Sequence, residues 1–407
     1  MKKNRVVYLY DEDIGGFLYG KDHPMKPQRI KMTHSMVMAY DLLSELKVIT
    51  PRRASPEEMS CFHTEDYVRF LQTTTFEDMK QKQSVASLFN VIEDTPFFPG
   101  LFEFCRISAG GSITAAEIIN KGKADIAINW AGGLHHAKKG SASGFCYVAD
   151  CVLGILKLLE RYQRVMYVDI DVHHGDGVEE AFYLSDRVLT VSFHKYGDFF
   201  PGTGSLSDIG YGKGKYYSVN VPLLDGIGDE SYHSVFKPII QRLIEWFRPE
   251  AIFLQSGADS VVGDKLGVFN LSIKGHAECV RFLKSFGIPM IVSGGGGYSI
   301  RNVARCWTYE TAVLVDKDIS NEIPNHSFID FYAPDYSLNQ KSCRITNINT
   351  PTYLNRIIET VFDNMRHLPC APSYSLINGQ FKSSNNEELD HIFDEGISSY
   401  YLSLKPE

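Results

Sequence analysis

The chain has 407 residues and a mass of 45.9 kDa, with 44% apolar and 22% charged residues. These proportions exclude a disordered polymer, a collagen-like repeat and a coiled coil. A formal net charge of −8 excludes a basic nucleic-acid footprint at whole-chain level and suits cationic partners.

In chain order, short β-branched apolar runs recur at Val6–Tyr10, Ala124–Trp130, Val165–Val172, Val188–Phe193, Tyr216–Val221, Ala251–Gln255 and Pro289–Val292. Each is nearly continuous rather than alternating, which predicts a strand covered on both faces. Helical patterns lie between several of them, at Ile107–Asn120, Val148–Tyr162, Asp229–Phe247 and Lys274–Phe286. Such alternation predicts a single α/β domain, a central mostly parallel sheet flanked by helices. No Pro/Ser linker and no internal repeat divides it. The domain is expected over residues 1–371. Residues 372–407 read as a short, weakly acidic tail with one helix near Glu387–Phe393.

Eight cysteines are scattered with no CxxC pair, which argues against a zinc ribbon or a thioredoxin-type motif and suits free thiols in a reducing compartment. No secretory signal or membrane-spanning stretch is read.

In open α/β sheets, function collects at the carboxyl ends of the strands, and four strand ends here are unusually polar. One is followed by Ala-Gly-Gly-Leu-His135-His136, a second by Asp169-Ile-Asp171-Val-His173-His174-Gly-Asp176-Gly. A third ends Gln-Ser-Gly-Ala-Asp259, and a fourth Ser-Gly-Gly-Gly-Gly-Tyr298. Residues two apart on an extended segment point to the same side, so Asp171 and His173 can meet one metal ion. Asp259 could supply a third ligand, giving a set with positions left for water and substrate. Asp169 and Asp176 remain, and each could orient one of His135 and His136 as a general base. Water activation by a metal and a His–Asp pair is hydrolytic chemistry. Tyr298, after its glycines, could donate to a developing oxyanion. Phe145 and Phe200 could wall a narrow apolar channel. Gly15-x4-Gly20-Lys21-Asp22 lacks the Ser/Thr of a phosphate loop and is rejected.

These motifs, with Ser-Phe-His-Lys, Phe-Pro-Gly-Thr-Gly, His-Pro-Met-Lys-Pro at 23–27 and Ile-Thr-Asn-Ile-Asn-Thr at 345–350, resemble class I histone deacetylases of the arginase/deacetylase fold. The resemblance covers about residues 5–371. It implies metal-dependent hydrolysis of acetyl-lysine in histone tails, contributing to transcriptional repression. Asp171, His173 and Asp259 would bind one zinc ion, with ferrous iron as the alternative. His135 and His136 would be the paired histidines, supported by Asp169 and Asp176 respectively, and Tyr298 would polarise the acetyl carbonyl. Gly144, Phe145, Phe200, Leu266 and Gly296 would line the tunnel, and Asp94 would hold the substrate backbone at its rim.

The resemblance further assigns Met25, Arg29, Leu134 and Cys146 to an acetate-release cavity. Asp169 and Ser192 would belong to a structural K+ or Na+ site. Acetylated histone tails and corepressor subunits are the implied partners, in the nucleus and also the cytoplasm, with no direct nucleic-acid or membrane binding. Lys26, Lys265 and Arg301 match basic positions that hold an inositol phosphate in relatives. Lys265 replaces the usual Arg, Leu18 replaces a His or Tyr, and Asp22 adds negative charge, so this ligand is expected to bind weakly or not at all. Two other classes remain open at this point, an arginase-like dimanganese hydrolase and a non-enzymatic acetyl-lysine binder.

Overall fold

A computed structural model describes residues 4–80, 83–340 and 345–368. The expected tail at 372–407, its helix near 387–393 and the boundary at 371 lie outside the described residues. Eight strands are seen among them: β1 (Val6–Leu9), β2 (Lys47–Ile49), β3 (Ile126–Asn129), β4 (Val165–Asp169), β5 (Val188–Lys195), β6 (Ser218–Leu223), β7 (Ala251–Gln255) and β8 (Met290–Ser293). They form one sheet in the order β2-β1-β3-β8-β7-β4-β5-β6, every pair parallel. Seven coincide with the apolar runs read from sequence. The exception, β2, is three residues long and opens on a lysine, too short to register as a run.

The helices are α1 (Gln28–Ala39), α2 (Pro56–Met59), α3 (Glu65–Thr73), α4 (Gln83–Leu88), α5 (Leu101–Asn120), α6 (Asp150–Leu158), α7 (Asp176–Phe182), α8 (Asp229–Phe247), α9 (Ile273–Lys284), α10 (Ile300–Leu314) and α11 (Pro351–Met365). All of β4 and β7 is buried, as sheets covered on both faces require. α1 and α10 escaped the sequence reading because their inward faces carry polar residues. Arg29, Thr33 and His34 are buried on α1, and Arg305, Thr308, Glu310 and Thr311 on α10. Buried polar groups blur the apolar stripe by which helices are recognised, most of all on α1.

The parallel register places Asn129, Ser293, Gln255, Asp169, Ser192 and Asn220 in a single row across β3, β8, β7, β4, β5 and β6. All six are buried. The apolar sheet therefore ends in a polar seam, and the four polar strand ends noted in the sequence belong to four adjacent strands, β3, β8, β7 and β4.

Candidate active site

Beyond β4 the chain bends at Asp171–His173, and its own carboxylates hold the bend. Asp171 N–H donates to Asp169 Oδ1 (3.1 Å), and His173 N–H donates to Asp171 Oδ1 (3.0 Å). This brings His173 Nδ1 within 3.1 Å of Asp171 Oδ1. Asp259, in the turn after β7, places Oδ2 at 3.1 Å from the same nitrogen. All three side chains are buried. Tetrahedral ligands with bonds of 2.0–2.1 Å stand about 3.3 Å apart, so the cage has the dimensions of one small cation. Two glycines permit it. A Cβ on Gly257 would lie 2.0 Å from Asp171 Oδ2, and one on Gly296 1.9 Å from Asp259 Oδ2.

The charges fit a cation as well. Burial and the neighbouring Asp171 push Asp259 up to about 7. Burial disfavours the His173 cation, but Asp171 and Asp259 outweigh it and raise His173 to about 10. Two carboxylates thus share one imidazole, and a divalent ion would take the place of the proton. Gln255 Nε2 and Gly296 N–H each donate to Asp171 Oδ2 at 2.8 Å, fixing that carboxylate from behind.

His135 and His136 leave β3 through a turn at Gly133, whose φ is +90° and whose Cβ position would fall 2.1 Å from Gly294 O. Asp150, at the start of α6, pins this turn by accepting Gly133 N–H (3.0 Å) and Leu134 N–H (2.8 Å). His135 Nδ1 donates to Asp169 at 2.8 Å and His136 Nδ1 to Asp176 at 2.7 Å. Burial opposes charge on both rings, with different outcomes. Asp169 and Asp171 overcome it at His135, which rises to about 9. At His136 burial and the His135 charge prevail, and the ring falls to about 3. A cation on Asp171 would offset that carboxylate's hold on His135. Burial also opposes the Asp176 carboxylate, but His136 and Lys138, whose amine lies 2.6 Å away, keep its pKa well below the usual range.

A cavity of about 260 Å³ opens onto these groups. His136, His173 and Tyr298 line it, with Gly144, Phe145, Phe199, Phe200 and Leu266 on its walls and the exposed Asp94 at its mouth. Phe200 meets the His136 ring edge-on at 4.9 Å, Phe199 stacks on His173 at 5.0 Å, and Phe145 meets Tyr298 edge-on at 5.7 Å. Phe145 has φ +66°, a left-handed conformation that few bulky residues adopt. Burial raises the Tyr298 phenol well above its usual pKa, so it remains a proton donor.

A histone deacetylase domain model matches residues 23–314. Over 374 residues the chain is 56% identical to histone deacetylase 1 of Bos taurus, covering 92% of this chain and 78% of that protein. It is 54% identical over 401 residues to histone deacetylase clr6 of Schizosaccharomyces pombe, covering 97% and 99%. The chain belongs to the histone deacetylase family. This deacetylase is a metal-dependent hydrolase of the class I type, and its all-parallel sheet is that of the arginase/deacetylase fold.

Other residues of the deacetylase fall around this centre. Gly296, expected on the tunnel wall, packs against the two carboxylates one layer deeper. Met25, Arg29, Leu134 and Cys146 are all buried. Arg29 reaches from α1 to donate to Gly295 O and Gly297 O, and its Nε finds no partner among the described residues. Ser192 lies beside Asp169 in the strand register. Lys26 spends its amine on Gly20 O (2.9 Å) and Lys21 O (2.6 Å), while Asp22, Lys265 and Arg301 are exposed.

Sequence reasoning missed Phe199, Lys138, Asp150, Gln255 and Asp264. Phe199 adjoins a singled-out residue and could have been found. Asp264 could not. Its carboxylate gathers four backbone N–H groups, from Leu266 and Gly267 on one oxygen and Tyr298 and Ser299 on the other, which ties the cavity rim to the tyrosine.

Proposed function

We propose that the deacetylase binds one zinc ion at Asp171, His173 and Asp259 and hydrolyses acetyl-lysine at the foot of the cavity, with ferrous iron as the alternative metal. The observation that carries this reading is the apolar cavity that ends on the cation-sized cage, with His136 and Tyr298 on its wall. Bound there, a divalent cation polarises the amide carbonyl and acidifies the attacking water. His136, facing the cavity with Nδ1 held by Asp176, takes the water proton and returns it to the departing lysine nitrogen. His135, ring centroid 4.0 Å from that of His136 and held by Asp169, helps keep the resting His136 ring neutral and ready to accept that proton. Tyr298 donates to the oxyanion. Gly144, Phe145, Phe200 and Leu266 surround the uncharged acetyl-lysine stem, with Gly296 behind. Free lysine is cationic and loses solvation there, which favours product departure.

Asp94 is read as the acceptor of substrate backbone N–H groups, suited to basic histone tails. The buried Arg29 with its spare donor suits a departing acetate, and Met25, Leu134 and Cys146, all buried, are assigned to the same cavity. Asp169 and Ser192 are assigned to a structural K+ or Na+ site. Deacetylation of histones by this enzyme serves transcriptional repression, and the enzyme is read as nuclear, working with corepressor subunits. Inositol phosphate is expected to bind weakly, since the Lys26 amine is engaged by carbonyls and Asp22 adds charge of the wrong sign.

The test is deacetylation of a generic acetyl-lysine peptide by protein stripped with a chelator and reconstituted. Activity should vanish on stripping and return with one zinc ion per chain, and a hydroxamate should inhibit it. Full activity only with two ions per chain would favour an arginase-like dimetal reaction instead.

A further inference from the structure

A second buried cluster, His276 on α9 with Cys306 and Glu310 on α10, has no part in the chemistry above. All three side chains are fully enclosed. The donor types suggest a metal, but the spacing is that of a hydrogen-bonded pair. His276 Nδ1 and Glu310 Oε1 are 2.5 Å apart, a proton-sharing contact too short for two ligands of one ion, which stand about 3.3 Å apart.

The partners of this pair show its use. His276 Nε2 meets Gly257 O at 2.9 Å. A carbonyl can only accept, so Nε2 carries a proton, and Nδ1 shares its own with Glu310. Glu310 Oε2 accepts the Ser256 hydroxyl at 2.8 Å, and Trp307, also on α10, donates its indole N–H to Ser256 O at 2.8 Å. Ser256 and Gly257 are the residues between the end of β7 and the turn that carries Asp259. Gly257 also lies against Asp171, at the close approach already described. A shift of the Gly257 peptide would therefore move Asp259 through the chain and Asp171 through contact.

We infer that His276 and Glu310 are positioning residues, which clamp the Ser256–Gly257 segment and so set the spacing of the Asp171 and Asp259 carboxylates for the metal. The inference rests on the reading of Asp171, His173 and Asp259 as the ligands. Burial opposes a charged His276, but Glu310 outweighs it and raises the ring's pKa, which favours a charge-assisted contact. Such a contact resists rotation of the ring more than a neutral hydrogen bond does.

The test compares zinc affinity, by competition with a chelating dye, and Tm for the wild-type enzyme, His276→Asn, His276→Gln and Asp259→Asn. Asn retains the Nδ1 side and its contact with Glu310 but leaves Gly257 O without a donor. Gln reaches the Nε2 position and retains that donor. His276→Asn should weaken zinc binding about tenfold or more, and His276→Gln by less than about threefold, within the range known for outer partners of metal ligands. Both should lower Tm alike. Wild-type affinity in both variants, or equal losses in both, would overturn the inference and leave a pair that only stabilises the fold. Should His276→Asn not fold, Ser256→Ala carries the same test: a several-fold loss of affinity supports the clamp and none overturns it. Unchanged zinc binding by Asp259→Asn would overturn the ligand assignment itself, an outcome distinct from failure of the clamp alone.

Discussion

The two buried clusters differ less in residue type than in charge and access. Around His173, two carboxylates share one imidazole, the atoms stand 3.1 Å apart, and the histidine lines an open cavity. Around His276, one carboxylate meets one imidazole at 2.5 Å, and the three side chains are sealed from solvent. The first cluster holds surplus negative charge that a cation can satisfy, as the rise of Asp259 to about 7 records. The second neutralises itself and has only a mechanical task. Charge balance and a route of entry, more than the presence of His and Asp, separate a metal centre from a brace.

The largest effect expected from breaking this contrast comes from Asp259→Asn. A neutral amide is a poorer ligand than a carboxylate, so bound metal and turnover should both be lost. Metal analysis showing a full complement of zinc with near-normal turnover would remove Asp259 from the cage. Tyr298→Phe acts on the cavity side of the same cluster. It should leave fold and metal intact while slowing turnover about 10²–10³-fold, the loss usual for one oxyanion donor. A rate equal to wild type would show that the phenol does not meet the oxyanion.

A third kind of buried histidine sharpens the comparison, because it has no carboxylate. His63 donates from Nδ1 to Lys139 O at 3.1 Å and accepts Ala149 N–H on Nε2 at 2.9 Å. Burial pushes it down to about 4. The unfolded chain binds this proton more readily, so stability is lost as pH falls below about 6.5, amounting to about 2 kcal/mol between pH 7 and pH 5. His276, raised by Glu310, has the opposite sign: its contribution is complete at low pH and is lost as pH rises through its folded value. Chemical denaturation of wild type and His63→Gln across that range should show a shallower acid loss in the variant. Parallel curves would contradict the assignment of a neutral His63.

The smallest effect lies at the outer end of the cavity. Asp94→Ala should lower kcat/KM about tenfold on a peptide substrate, the worth of one charge-assisted hydrogen bond, and hardly at all on a minimal acetyl-lysine analogue. Equal losses on both substrates would mean that Asp94 supports the fold instead of the peptide.

Much of this enzyme is legible in the linear text. Strands buried on both faces must be continuously apolar, so seven of the eight strands stand out, and their polar ends mark the catalytic edge. Asp171-x-His173 is readable as a pair close in sequence, although the chain bends there where an extended segment was expected. What the text does not carry is distance between segments far apart in sequence. The strand order sets Asn129, Ser293, Gln255, Asp169, Ser192 and Asn220 in one row, although they are scattered between positions 129 and 293. Asp264 caps Tyr298 from 34 residues away, and His276 braces Gly257 across the same fold. α10 hides from the sequence for the same reason that it matters. Its buried face mixes polar with apolar residues, and only packing against the end of β7 gives Glu310 and Trp307 their partners. Local periodicity follows from the backbone and can be read residue by residue, whereas the pairing of buried polar groups depends on which surfaces meet, and that was decided by the tertiary structure alone.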